Sequence, residues 1–175
     1  MLALDPLPIV NGIAVLRRME PNDLAEFQAY RGDPAVGRYQ GWSVMSADMA
    51  KAFLSEMNVC QLMQPGTWVQ LGISEPASGL LLGDIGLRLS DSQDEAEVGF
   101  TLAPHAQSRG IATAAVSAAI EFVFLHTSAE RVLGITDARN SASIRLLERV
   151  GMVKLGSTSV VFKGESCTED RYAKY

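Results

Sequence analysis

Residues 110–126, GIATAAVSAAIEFVFLH, carry one charge, Glu121, between Ile111 and Leu125. A helix that lies on a protein surface keeps a polar face toward water, so a helix apolar nearly all round has to be buried against a sheet. The neighbouring segments supply that sheet. TWVQLGISE (67–75), GLLLGDIGLRLS (79–90) and EAEVGFTLA (95–103) read as strands. PASG and DSQD join them, which is turn chemistry for antiparallel neighbours. RVLGITD (131–137) follows the helix as another strand, GIAVLRR (12–18) opens the series, and residues 152–175 close it as one or two terminal strands.

Three further helices are expected. PNDLAEFQAYR (21–31) carries Pro21 and Asp23 in its first turn, and GDPAVGRYQGW then reads as a short helical turn and a loop. Ser46 caps an amphipathic helix whose Met49, Phe53, Met57, Cys60 and Met63 fall on one core-facing side, ending before Pro65 and Gly66. Asn140 caps the last helix, NSASIRLLERVGM, which Gly151 ends. Without a repeat, a low-complexity tract or a linker, residues 1–175 are expected to form one domain.

The apolar helix begins oddly. HAQSRGIATAAV (105–116) places Gln107, Ser108, Arg109 and Gly110 at its mouth. A helix start exposes backbone N–H groups without intrahelical partners, the macrodipole makes that end electropositive, and a glycine lets an anion come close. The stretch lacks the lysine and hydroxyl of a GxxxxGK[ST] loop and lacks GxGxxG, so nucleotide-triphosphate and dinucleotide readings lose support. A net charge of -5 argues against a nucleic-acid backbone as partner. Cys60 and Cys167 stand far apart with no Cys/His cluster, so neither a disulfide framework nor a metal site is expected. MLALDPLPIV has no basic region before its prolines and no apolar run reaches a membrane span, so a cytoplasmic location is expected, with no membrane contact.

EAEVGFTLAPHAQSRGIATAAV, with its Q-x-x-G-x-A pattern, is followed some thirty residues later by NSASIRLLERVGM. The pair resembles the GNAT acetyltransferase superfamily, and within it the RimJ/RimL-like branch that acetylates protein N-termini and small amines. YRGDPAVGRYQGW and FKGESCTEDRYAKY look like that branch too. The resemblance implies an α+β fold: a mixed, mostly antiparallel sheet of about six to seven strands with helices on both faces, splayed between the fourth and fifth strands. The pantetheine arm of acetyl-CoA would lie in that gap. Phe100, Thr101 and Leu102 would offer backbone hydrogen bonds to it, the amides of Gln107, Ser108, Arg109, Gly110, Ile111, Ala112 and Thr113 would hold the pyrophosphate, and Asn140 and Ser143 would flank the sulfur. No metal is implied.

Acetyl transfer to an amine requires removal of the ammonium proton and donors for the developing oxyanion; an acid for the sulfur is optional. No cysteine lies in either motif, so direct attack without an acyl-enzyme is expected. Glu97 shares a strand face with Gly99 and Thr101, and the resemblance makes it the candidate base, because its counterpart in that branch faces the substrate amine directly or through water; the alternative is an edge carboxylate paired with Arg88 or solvated. Asp84, between Gly83 and Gly86, is a second carboxylate for the substrate pocket, or else bonds a turn. Ser143 is the candidate acid, because Leu147 stands where many relatives carry a tyrosine; otherwise it makes a first-turn backbone contact. Ala114 replaces a glutamate frequent in relatives. Tyr39 and Trp42 either wall the acceptor pocket or pack their loop, and Trp68 is expected in the core. His105 is expected to face solvent and His126 to be structural. The acceptor is an amine, on a small molecule or a protein N-terminus, and terminal strands of this branch often take part in homodimers.

Overall fold

The computed structural model describes residues 5–175; residues 1–4, part of the N-terminal stretch read above, lie outside the described residues. The chain runs β1 (Ile9–Asn11), β2 (Ala14–Arg18), a 3-10 turn (Pro21–Asp23), α1 (Leu24–Arg31), α2 (Pro34–Gly37) and α3 (Ala47–Val59). It continues through β3 (Trp68–Ser74), β4 (Leu81–Leu89), β5 (Glu95–Leu102), α4 (Ile111–His126), β6 (Arg131–Asp137), α5 (Ser141–Arg149), β7 (Val153–Phe162) and β8 (Glu165–Lys174). Eight strands form one sheet in the order β1-β2-β3-β4-β5-β6-β8-β7. The sequence led us to expect six or seven. The extra strand is β1, three residues too short to show a period of two, turned onto β2 through Gly12 at φ +59°.

All neighbours are antiparallel except β5 and β6. These two are joined by α4, the helical crossover that a parallel pair requires. Their ladder covers only Glu95↔Arg131, Ala96↔Val132 and Glu97↔Leu133. Beyond Glu97 the strands part, although β5 continues to Leu102 and β6 to Asp137. This is the splay the resemblance implied, lying between the fifth and sixth strands once β1 is counted.

The register assigns the two faces of the sheet opposite chemistry. Leu16, Leu71, Ile73, Ile85, Leu87 and Val98 share one side, all at or below 3 % exposure, and α4 lies along the sheet there with Val116, Ala119 and Val123 fully buried. The other side carries Gln70 and Gly72 on β3, Asp84, Gly86 and Arg88 on β4, and Glu97, Gly99 and Thr101 on β5. α1 and α3 cover it only in part, through Phe27, Tyr30, Leu54 and Met57.

The face of α3 differs from expectation. Ala50, Leu54 and Met57 point inward, while Met49 is 62 % exposed, Cys60 is only half-buried, and Met63 is buried from beyond the helix end. Steps of four residues advance 40° around a helix, so a face drawn from Met49 through Phe53 to Met57 drifts; the true stripe is centred on Leu54.

Candidate active site

β5 ends in a 3-10 turn (Pro104–Ala106) and the loop Gln107–Gly110, where Ser108 has φ +59° and Gly110 φ +79°. Alternation of left- and right-handed residues turns successive N–H groups toward one concavity. A Cβ on Gly110 would meet only Ile13 Cδ1 at 3.7 Å, so the backbone angle, not crowding, calls for glycine here. Among the described residues no side chain caps α4, and its first internal bond runs from Ala114 N–H to Gly110 C=O at 3.1 Å. The N–H groups of Ile111, Ala112 and Thr113 are therefore left without intrahelical partners. Ile111 anchors that turn in the core at 2 % exposure. Gln107 ties the loop to the strand end by donating from Nε2 to Leu102 C=O (3.1 Å), and Arg109 is exposed beside it.

The backbone of β5 sorts by parity. Ala103 N–H donates to Leu82 C=O and Ser90 N–H to Glu95 C=O, so odd-numbered residues address β4 and even-numbered ones the side of β6. Past the splay, Phe100 and Leu102 therefore face the gap. Their carbonyls already accept from Gln40 Nε2 (3.1 Å) and Gln107 Nε2, which leaves their N–H groups open. Thr101 differs from what the resemblance implied: its backbone addresses β4, and its hydroxyl accepts from Trp42 Nε1 at 3.4 Å.

Next to the splay, on the polar face of the sheet, is a cavity of about 540 Å³. Glu97 and Gly99 line it, together with Ile135 of β6 and Phe162 and Glu169 of the terminal hairpin. Glu97 stands opposite Arg88 in the register but makes no ion pair among the described residues; the nearest acidic partner of Arg88 is Asp91, at 4.0 Å. Burial raises the Glu97 pKa above 4.5, partly opposed by Arg88 and Arg171 and assisted by Glu169 and Glu95. A half-buried carboxylate without a partner, readier than usual to take a proton, faces open space.

Asp84 also lines the cavity, but its oxygens are committed. One accepts from Tyr30 Oη (2.5 Å) and Arg31 Nε (3.2 Å), the other from Arg31 Nη2 (2.8 Å) and Gln70 Nε2 (3.0 Å). These four bonds use all the lone-pair sites of a carboxylate. Asp84 is thus a wall, and its partners are α1 and β3, not the turn considered from sequence. Burial first, then the Asp84 charge, pushes the Tyr30 hydroxyl well above its ordinary pKa.

Tyr39 and Trp42 are both half-buried in the cavity wall. Arg31 stacks on Trp42 at 4.5 Å, and Tyr39 lies between Arg38 (5.1 Å) and Arg139 (5.8 Å). Trp68 corrects the sequence expectation: it is 43 % exposed and lines the cavity instead of the core. His105 and His126 are both exposed, His126 with its ring 4.9 Å from that of Phe122.

Across the splay, Asn140 caps α5 by accepting from Ser143 N–H at 3.2 Å, so its carbonyl is occupied. Ser143 is half-buried in the first turn, and Leu147 is buried against the Gly134 position. Asp137, just before this cap, is held at a pKa of about 2 by the Arg139 guanidinium. Sequence reasoning missed Gln40, Phe162 and Glu169. Phe162 and Glu169 reach the cavity through pairing of β8 with β6 and a bond from Lys163 Nζ to Gly37 C=O (2.9 Å), contacts with no local signal.

Residues 14–153 match the acetyltransferase (GNAT) domain family. The chain belongs to that family. It is similar to the uncharacterized N-acetyltransferase YoaA of Bacillus subtilis, 26 % identical over 143 residues that make up 81 % of this chain and 80 % of that protein. A GNAT-family acetyltransferase from Bacillus anthracis has the same fold, with a TM-score of 0.84 at 19 % identity over 96 % of this chain and 98 % of the other. So has RimL, a ribosomal alpha-N-protein acetyltransferase solved with coenzyme A, with a TM-score of 0.80 at 16 % identity over 95 % and 96 % of the two chains.

Proposed function

We propose that this acetyltransferase takes the acetyl group of acetyl-CoA and places it on a primary amine by direct attack. The observation that carries the reading is the splay: one gap has an uncapped helix start at one end and the unpartnered Glu97 at the other. Such a donor set suits an elongated molecule with an anionic end. The Gln107 N–H expected to join the anion site is instead given to Pro104 C=O (3.2 Å), so the N–H groups from Ser108 to Thr113 would hold the pyrophosphate and those of Phe100 and Leu102 the pantetheine amides; RimL, of the same fold, was solved with coenzyme A.

Acetyl-CoA supplies an activated acetyl thioester. Glu97 takes the ammonium proton of the acceptor, directly or through water, and its raised pKa brings it closer to an amine's than an exposed carboxylate would be. Ser143, in the first turn of α5, would protonate the departing sulfur. The amine is carried by a small molecule or a protein N-terminus.

Incubation with acetyl-CoA and a panel of primary amines, followed by thiol release and mass analysis, tests the reading. One thiol per acetylated amine is expected. Coenzyme A binding with no transfer to any amine would reduce the protein to a cofactor-binding module.

A further inference from the structure

Gly99 sits in the interior of β5 with no visible structural need to be glycine. Its φ is not positive, and a Cβ built on it would meet nothing within 4 Å. Its register partner Gly86 is different, because a Cβ there would reach Gln70 Oε1 at 2.5 Å and the Trp68 ring at 3.2 Å. Glycine inside a strand weakens it and marks places where a ligand comes close. The open space above Gly99 is the cavity, and Gly99 lies between Glu97 and Thr101 on its floor.

The walls narrow the occupant. Tyr39, Trp42, Phe53, Trp68 and Phe162 surround this floor, and they include both tryptophans of the chain. Most polar groups of the lining are engaged: Asp84 with Arg31, Tyr30 and Gln70, and Gln40 with the Phe100 carbonyl. The remaining carboxylates are Glu97 and Glu169. Arg171 shares the β8 face of Glu169, and no ion pair engages either Glu97 or Glu169 among the described residues. An ammonium is accommodated at this acidic edge, and the aromatic walls offer the rest of an acceptor an apolar surface.

Resting on the amine-acetyltransferase reading, we infer that the acceptor is an amine on a flat apolar body, an arylalkylamine, whose ring lies over Gly99 between the aromatic walls while its nitrogen meets Glu97. Gly99 is then the specificity-determining residue, since a side chain there projects into the space the ring takes.

Because both tryptophans line the cavity, intrinsic fluorescence reports its occupancy without turnover. With the full chain saturated with coenzyme A, 2-phenylethylamine should bind at least about tenfold more tightly than spermidine or a serine-initiated tetrapeptide. Gly99→Val should weaken that binding by about tenfold or more, the order expected when a few methyl-sized volumes in an apolar pocket change. Its coenzyme A affinity should stay unchanged. Gly99→Ala, which adds one methyl to open space, carries the same test with a smaller loss if valine unfolds the strand. Equal or tighter spermidine or peptide binding, or phenylethylamine affinity indifferent to both substitutions, overturns the inference. Binding as expected with no acetyl transfer to any amine overturns the proposed function alone, whereas transfer restricted to spermidine or the peptide overturns only the arylalkylamine assignment.

Discussion

Replacing Asp84 by asparagine preserves shape but leaves one oxygen acceptor where there were two, so either Tyr30 or Gln70 loses its acceptor, and it strips the Arg31 guanidinium of its counter-charge. That guanidinium has a side chain only 6 % exposed, and Asp84 only 1 %. Water cannot replace the lost partner, so the cost is that of an uncompensated buried charge, about 3–5 kcal/mol. Set against a usual total of about 5–15 kcal/mol, this is a large fraction. At roughly 2–4 °C per kcal/mol for a chain of this size, the melting temperature should fall by about 6–20 °C. Urea unfolding of Asp84→Asn, Arg31→Met and the double variant measures the effect. The double variant, which removes both charges, should be clearly more stable than Asp84→Asn alone. A single-variant loss below about 1 kcal/mol, or strict additivity in the double, would show that water reaches the pair and that the argument from burial is wrong.

Glu97→Gln should retain coenzyme A binding and lose about 10² or more in turnover, with the loss shrinking at high pH as the amine deprotonates unaided; an unaltered pH–rate profile would remove Glu97 from the chemistry. The same variant has a stability signature. A raised pKa means the folded protein holds the proton more tightly, so ionisation costs wild type stability as pH rises from about 4.5 through the folded pKa. Glu97→Gln should therefore match wild type below that window and exceed it above, and a pH-independent difference in chemical denaturation would contradict the assigned cause. Gly110→Glu should abolish the thermal stabilisation by acetyl-CoA, worth about 2.7 kcal/mol at a hundredfold excess over Kd, while Gly110→Asn, which tolerates the left-handed backbone without adding charge, should keep part of it; equal shifts in both would misplace the anion site. Ser143→Ala should slow single turnover by no more than about tenfold with cofactor affinity unchanged, because a thiol of pKa near ~8.5 leaves well unprotonated. A loss confined to affinity would make Ser143 a cofactor contact.

What the sequence revealed and what it hid divides along the distance between contacts. The apolar helix expected over 110–126 is α4, Ile111–His126, because its apolar pattern is local and calls for a sheet to cover it, although Glu121 and Leu125 stay exposed on its outer side. The glycine at its mouth was legible because a left-handed residue before a helix leaves few alternatives. Glu97 could be assigned to the face of Gly99 and Thr101 by counting in twos. Asp84 was visible as an odd carboxylate among glycines, yet its partners Tyr30 and Arg31 lie 54 and 53 residues away, a pairing that no periodicity encodes. Trp68 was assigned to the core because large aromatics usually bury; the cavity is what keeps it partly exposed.

The sheet order ends β6-β8-β7, so β8 is flanked by two strands made before it. β7 touches the sheet only through β8, and Phe162 and Glu169 enter the cavity with that hairpin. During synthesis the gap between β5 and β6, with the start of α4 at its end, can form while β7 still waits for its neighbour. The molecule thus acquires a place for a cofactor before it acquires a finished place for an acceptor, and a nascent chain stalled within β8 would have the first without the second.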